Sequence, residues 1–403
     1  MNALTLYGEK HQKGEKSLTG RKKTVIIIWL EKRLEGVFFM QNELRKICEI
    51  FQIEGEFLDF KEVSSGHINH TYAVRVSCFG EVEKYIVQKI NTYVFKDPIG
   101  VMQNIASVTE FIREKLNENN AFSDRSVLQY LKKENGDYYH MVEDGCWRCC
   151  HFIDGAATYL RPENEGVVEQ SGRAFGEFQK YLIDYPVSEL NIVIPHFHNT
   201  ILRFSAFREA LENDLVGRKS EIADEIAGYF ALEEVACEPY KMQIRREIPL
   251  RVTHNDTKTS NVLFDENTNE RLCVIDLDTV MPGLVAFDFG DAIRIASNMA
   301  EEDEKDLSKV AFNLAYYEAF AKGFLGELGG LISDNEKKSL PLGAIAMTVE
   351  CGVRFLTDYL NGDKYFRVHY PEHNLVRARC QLALARDMLK HFDEMREIIN
   401  KYC

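Results

Sequence analysis

Positive charge is in short supply in this chain: 49 Lys and Arg stand against 63 Asp and Glu, for a net charge of −14. A polyanionic partner needs a basic face, so nucleic acid and acidic membrane surfaces match this balance poorly. A single nucleotide stays open, because one local lysine and a metal ion suffice to hold it. Long apolar runs are missing near the start. Val25-Ile26-Ile27-Ile28-Trp29-Leu30 is six residues long, and no small-residue cleavage site follows it. A bilayer core needs roughly 20 apolar residues, so no membrane span or export signal is read here. A second cysteine cluster is also absent. Cys146, Cys149 and Cys150 offer one C-x-x-C spacing, and nothing elsewhere completes a zinc site. The ten scattered cysteines therefore read as reduced thiols, and the expected location is cytoplasmic. There is no internal repeat and no low-complexity tract.

What is present is enough apolar residue, 45% of 403, for two substantial lobes. Residues 1–39 stand apart, with eight Lys and Arg against four Glu, which leaves −18 on residues 40–403. The expectation is that 1–39 is a basic extension, read as translated upstream sequence with Met40 as the native start; the alternative is an arm that binds a membrane surface or a partner. Met40 precedes an amphipathic helix expected over Asn42 to Phe51.

The chain is organised around Thr253-His254-Asn255-Asp256-Thr257-Lys258-Thr259-Ser260-Asn261. Asn261 to Asp265 is strand-like, Glu266 to Glu270 is a polar turn, and Arg271 to Ile275 is strand-like again, ending at Asp276. A hairpin brings its ends together, so Asn261 and Asp276 meet at one mouth with Asp256 on the loop beside them. Phosphoryl transfer from ATP needs this set: one carboxylate to orient an attacking hydroxyl, and an amide oxygen and second carboxylate for Mg²⁺. Asp256 is the catalytic candidate and Asn261 and Asp276 the metal ligands, with Asp278 a further metal or substrate candidate.

Asp288-Phe289-Gly290 spells the magnesium motif of protein kinases but lies past the hairpin and past Met281-Pro282-Gly283. Asp288 is read instead as a buried acceptor at a helix start, fixing the catalytic loop through backbone N–H groups. Only residues 277–287 separate Asp276 from Asp288. That leaves no room for a peptide-docking segment, so the acceptor is expected to be a small molecule.

Upstream, Phe57 to Val63, Thr71 to Ser77 and Tyr85 to Ile90 read as strands. The first two flank a small-residue loop whose Ser65 and Gly66 would admit phosphates to backbone N–H groups. Lys89 sits where a third-strand kinase lysine pairs with phosphates; its alternative is a surface lysine at a strand end. With Lys258, these are the expected nucleotide-binding residues. Asp97-Pro98 starts a helix to about Asn117, on which Glu110 or Asn104 would partner Lys89. Ser126 to Leu131, Tyr138 to Val142 and Trp147 to Ile153 complete a small antiparallel sheet, and Phe152 to Ala156 reads as the connection between lobes. Helical periods then cover Val168 to Tyr185, Ile201 to Leu215, Glu221 to Leu232 and Lys241 to Ile248. They return over Ala300 to Phe324, Glu336 to Leu360 and Pro371 to Ile399. The expected fold is α+β and two-lobed, protein-kinase-like. A nucleotide-binding lobe spans 40–153 and a larger, mainly helical catalytic and substrate-binding lobe spans 154–403.

His254-x-Asp256-x4-Asn261 with Asp276 resembles the aminoglycoside phosphotransferase and choline kinase superfamily. A closer likeness is to the N-acetylhexosamine 1-kinases. It rests on Ser65-Gly66-His67-Ile68-Asn69-x-Thr71-Tyr72, Gln88-Lys89-Ile90-Asn91, Pro195-x-Phe197-His198-Asn199-Thr200, His254 to Lys258, Asp276-x-Asp278-Thr279-x-Met281-Pro282-Gly283 and Arg354 to Leu360. The resemblance implies ATP- and Mg²⁺-dependent phosphorylation of the anomeric hydroxyl of GlcNAc or GalNAc, with His67, Arg294, Arg354 and Tyr365 facing the sugar. Each has a plainer alternative: Arg294 pairing with Asp291, Arg354 with Asp358, Tyr365 in the core. For His198 and Asn199 the favoured reading is capping of the helix near Thr200.

Overall fold

The computed structural model describes residues 36–63 and 68–403. Ser65, Gly66 and His67, and the extension up to residue 35, lie outside the described residues. A helix over residues 36–50, α1, runs through Met40. It is followed by β1 (Glu56–Val63), β2 (His70–Cys78) and β3 (Glu81–Ile90). After the helix α2 (Pro98–Glu118) come β4 (His140–Val142) and β5 (Gly145–His151). These strands form one antiparallel sheet in the order β1-β2-β3-β5-β4.

Side chains alternate across a strand, so the sheet has two distinct faces. Tyr72, Val74, Val76, Tyr85, Val87, Trp147 and Cys149 pack under Leu44, Ile47 and Phe51 of α1. Ile90 and Cys146 point the other way and join Val101, Met102 and Ile105 of α2 in the main core. Helix α2 begins as its sequence demands: the Asp97 side chain accepts the Gly100 N–H at 2.9 Å, and Pro98 needs no donor there. The strand expected over Ser126–Leu131 reduces to a single bridge between Tyr130 and Cys150. Its first residues are instead held in a turn by Ser123 and Ser126, whose side chains bond each other and the local backbone.

Beyond the sheet, β6 (Ala156–Ala157) pairs with β8 (Val262–Asp265), which forms the hairpin with β9 (Arg271–Val274). A short ribbon pairs β7 (Arg251–Thr253) with β10 (Met281–Gly283). The rest is helical: α3 (Glu165–Tyr181), α4 (Thr200–Asn213), α5 (Ala223–Ile244), α6 (Val285–Ala296), α7 (Leu314–Leu328), α8 (Asp334–Leu360), α9 (His373–Lys390) and α10 (Phe392–Lys401). Three expected boundaries are corrected. Helix α5 continues through Pro239, merging two expected helices. The helix expected from Ala300 starts at Leu314, and α6 precedes it. The last expected helix breaks at His391.

Helix α8 is the hub, packed on α4, α5, α6 and α9. It is long and apolar enough to cross a membrane, but its most apolar window is 78% buried inside the protein, as a core helix is. A Ser333–Glu336 capping box fixes its start. Its approach to α6 is close enough that only glycine fits. A Cβ on Gly343 would lie 1.9 Å from the Ala286 carbonyl oxygen, and one on Gly290 would lie 2.2 Å from that of Gly343. This backbone-to-backbone contact sets the side chains of α6 and α8 beside the catalytic loop.

Candidate active site

The loop after β7 is held from behind. Asp288 on α6 is buried, and its carboxylate accepts the N–H of His254 at 2.9 Å, the N–H of Asn255 at 2.8 Å and the Gln179 amide at 2.6 Å. Asp288 is thus the backbone acceptor that the sequence reading made it. The clamp stabilises a turn in which Asn255 has φ 63°, a left-handed conformation that asparagine tolerates better than most residues. The Asn255 amide reaches the Thr279 carbonyl at 2.9 Å. His254 packs edge-on against Phe175 and Phe178, and its Nε2 bonds the Ile275 carbonyl at 2.9 Å. The chain then turns outward and presents Asp256.

The Asp256 carboxylate receives Lys258 Nζ at 2.8 Å and Asn261 Nδ2 at 3.1 Å. Burial works against its ionisation, but Lys258 and the two hydrogen bonds prevail and hold the carboxyl below its usual range. Burial likewise opposes the charge of Lys258, while Asp256, Asp276 and Asp291 hold its ammonium above the ordinary value. Asp256 is therefore an anion ready to accept a hydroxyl hydrogen.

The hairpin brings its feet together as its length requires. Val262 lies opposite Val274, and the Ile275 N–H donates to the Asn261 carbonyl at 2.9 Å. Asp276 follows in the left-handed region, with φ 62°, and opens to solvent. Its carboxylate accepts no hydrogen bond from the described residues. Its surface is open, yet it is crowded by protein atoms that thin its hydration; this crowding, with the charges of Asp278 and Asp256, pushes it up to about 6 against the pull of Lys258. Asn261 uses its amide nitrogen on Asp256, and its Oδ1 has no hydrogen-bond partner among the described residues. Among the described residues no group of three His, Cys, Asp or Glu side chains is set to hold a metal ion. A carbonyl oxygen and a crowded carboxylate fit Mg²⁺, which keeps waters and takes further oxygens from phosphate.

Other expected residues lie elsewhere. Lys89 faces α1, on the side of the sheet away from Asp278. It bonds Asp144 at 2.6 Å, lies 3.8 Å from Glu43 and stands over the Trp147 ring. Its expected phosphate role does not fit this placement, because one residue of strand parity decides the face. Its neighbour on the opposite face of the sheet is Gln88, which accepts from the buried Arg148 of β5 at 3.0 Å. Neither expected helix partner reaches Lys89: Glu110 bonds Tyr138, and Asn104 bonds the Asn191 and Val280 carbonyls, each at 2.9 Å. Asp278 is not open to a metal, since Arg148 and Asn69 take its two oxygens.

On the acceptor side, Arg294 takes up its alternative and pairs with Asp291 at 2.9 Å and Glu302 at 3.3 Å. Arg354 does not pair with Asp358, which instead accepts the N–H groups of Lys364, Tyr365 and Phe366. The Arg354 guanidinium has no hydrogen-bond or ion-pair partner among the described residues and lies over the rings of Phe366 and Tyr365. Tyr365 is 74% exposed and so is no core residue. Asn199 caps α4, accepting the Leu202 N–H at 3.0 Å. His198 does not cap; it bridges Glu350 of α8, at 3.0 Å, and the carbonyl of Asn255, at 3.3 Å. Glu350 and Arg148 had no local signal in the sequence, since their partners lie more than a hundred residues away.

A model of the phosphotransferase enzyme family matches residues 59–324, more than half of the chain. The chain belongs to this family. The matched span contains the whole of the Asp256–Asn261–Asp276 arrangement. Several solved structures share the fold of this phosphotransferase. A microcompartment-associated aminopropanol kinase is similar over 89% of this chain and 98% of its own, with 14% identity and a TM-score of 0.56. An aminoglycoside phosphotransferase from Alicyclobacillus acidocaldarius subsp. acidocaldarius covers 85% of this chain and 92% of its own, at 10% identity and TM-score 0.53. A choline kinase from Cryptosporidium parvum Iowa II covers 89% and 98%, at 14% identity and TM-score 0.50. At such identities the likeness is one of fold. Family and fold match the superfamily part of the expectation, and neither bears on the acceptor of this phosphotransferase.

Proposed function

We propose that this phosphotransferase moves the γ-phosphoryl group of ATP to a hydroxyl of a small neutral acceptor, the anomeric hydroxyl of an N-acetylhexosamine such as GlcNAc or GalNAc. The observation that carries the reading is the ionised Asp256 held by Lys258 and Asn261, beside the unpartnered carboxylate of Asp276. Asp256 orients the hydroxyl and takes its proton as the oxygen attacks phosphorus. The bond to the β–γ bridging oxygen breaks, and the electron pair leaves with ADP. Asn261 and Asp276 would hold Mg²⁺, which when bound neutralises charge on the phosphates. Lys258 adds a fixed positive charge at the same place, so positioning and electrostatics supply the rate.

The acceptor class is argued from charge. The fold neighbours named above include kinases of aminopropanol and of choline, both cationic acceptors. Such acceptors call for free carboxylates or an aromatic cage. Here Asp291 and Glu302 are paired with Arg294, and Glu350 with His198 and Thr200, while the open carboxylate of Asp276 is assigned to the metal ion. The Arg354 guanidinium, over the Phe366 ring and unpaired among the described residues, is a donor fork suited to hydroxyl and acyl oxygens. An ADP-release assay across hexosamines, aminopropanol, choline and aminoglycosides tests this, with phosphorus NMR reading the product. Turnover of GlcNAc or GalNAc to a 1-phosphate is expected, and turnover of the amines alone refutes the acceptor. Asp256→Asn is expected to abolish turnover while ADP still binds; near-normal kcat in that variant removes Asp256 from its role.

A further inference from the structure

The phosphotransfer reading leaves a buried charge pair without a task. Asp278 lies two residues past Asp276, with its side chain 4% exposed, and Arg148 of β5 reaches it with a side chain 2% exposed. Both Asp278 oxygens are used: Oδ1 accepts Arg148 Nη1, and Oδ2 accepts the Asn69 amide. The network continues into the sheet. Arg148 Nε donates to Gln88 Oε1 at 3.0 Å, and Gln88 Nε2 donates to Thr71 Oγ1 at 2.9 Å. Asn69 Oδ1 accepts the Asn91 N–H at 3.0 Å, and the Asn91 amide donates to the Ile68 carbonyl at 3.2 Å. One polar chain thus ties the turn after Asp276 to β5, β3 and the residues that enter β2. Asn104 of α2 adds a second tie, 2.9 Å from the Val280 carbonyl.

A buried ion pair is a weak source of stability, because desolvating two charges offsets most of their attraction. Its use lies in geometry: Arg148 Nη1 on Oδ1 and the Asn69 amide on Oδ2, with Arg148 Nε held in turn by Gln88, leave the carboxylate little freedom to turn. We infer that Asn69, Arg148 and Asp278 form a positioning latch that fixes the N-terminal sheet against the segment bearing Asp276, and that nucleotide binding depends on it while acceptor binding does not. The inference rests on the phosphotransfer reading. It separates the two substrates because the latch joins the sheet to Asp276, whereas Arg354, Glu350 and His198 are joined to the loop through α8 and α4. Asn69, Arg148 and Asp278 spend their polar atoms on one another and on the sheet, so each acts through what it holds in place.

Two variants and two readouts test it. Asn69→Leu leaves the Arg148–Asp278 pair intact and removes both Asn69 bonds, to Asp278 and from the Asn91 N–H. It is expected to weaken ADP binding, read by calorimetry with Mg²⁺, and to raise the KM for ATP about tenfold, with the acceptor KM within about twofold of wild type. The double variant Arg148→Met with Asp278→Leu replaces the buried pair by apolar side chains of similar size. It is expected to keep or raise Tm and still to bind ADP at least about tenfold more weakly. Normal ADP affinity in both variants overturns the latch, as does a fall in ADP affinity that follows Tm and is abolished in the double variant. Equal losses in the KM for ATP and for the acceptor overturn the division between substrates. A wild-type chain that binds no nucleotide overturns the phosphotransfer reading itself, and this is seen before any variant is made.

Discussion

Substituting Asp288 by Asn tests how the catalytic loop is held. The carboxylate accepts three hydrogens: Oδ1 from Asn255 N–H, and Oδ2 from His254 N–H and Gln179 Nε2. An asparagine has one acceptor oxygen and one NH₂. If the NH₂ replaces Oδ1, it faces the Asn255 N–H. If it replaces Oδ2, it faces the His254 N–H. Either way one backbone donor of the loop is left unpaired at a site only 1% exposed. Losing a charge-assisted hydrogen bond and stranding a buried donor costs about 2–4 kcal/mol. Against a typical total of roughly 5–15 kcal/mol this is a large, measurable fraction. Urea unfolding followed by circular dichroism reads it as a lowered midpoint. Asn255 sits in a left-handed conformation next to Asp256, so loosening the clamp lets the Asp256 carboxylate, the proposed base, drift. A displacement near 1 Å costs about a hundredfold in rate, so kcat should fall by that order with KM for ATP little changed. A variant within about twofold of wild type in kcat and with an unshifted urea midpoint refutes the clamp argument.

Three further outcomes follow from the placement of charge. Lys89→Met removes a lysine that faces α1 and is expected to leave the KM for ATP within about twofold of wild type. Lys258→Met removes the cation bonded to Asp256 and is expected to lower kcat about a hundredfold; the reverse ranking in steady-state kinetics returns Lys89 to the phosphates. Asp276 gives a pH signature. Its carboxyl is pushed up from 3.8 to about 6 in the folded state, so there the fold binds a proton that the unfolded chain releases. Stability from this group is greatest below 3.8 and falls as pH rises to about 6, then levels off. Without Mg²⁺, Asp276→Asn should therefore gain stability relative to wild type at pH 7 but not at pH 4, as read by urea unfolding. An equal difference at both pH values refutes the assignment.

Much of the site was legible because its parts are close in the chain. Asp256, Asn261 and Asp276 are spaced by one loop and one hairpin, and a hairpin of fixed length must bring its ends together. The reading of Asp288 also came from local spacing, since a carboxylate at a helix start after a tight ribbon has backbone N–H groups within reach. Lys89 was misplaced for a reason the strand itself contains. Tyr85-Ile86-Val87 is apolar at successive positions, so alternation gives no sign of which face is inward, and only α1 packing on Tyr85 and Val87 decides it. The periods over Glu221 to Leu232 and Lys241 to Ile248 read as two helices, yet α5 runs through Pro239 between them, packed on α8.

The sequence by itself determined which side chains stand on the loop and on each foot of the hairpin, and that a short segment follows them. It could do so because those residues are linked by turns whose geometry is local. Only the tertiary structure decided which cations are free. Arg294 is consumed by Asp291, Arg148 by Asp278 across 130 residues of chain, and Arg354 is left unpaired because Asp358 turns to backbone N–H groups. Pairing of charges in a folded interior depends on which surfaces are brought out of water together, and that is a property of packing rather than of spacing.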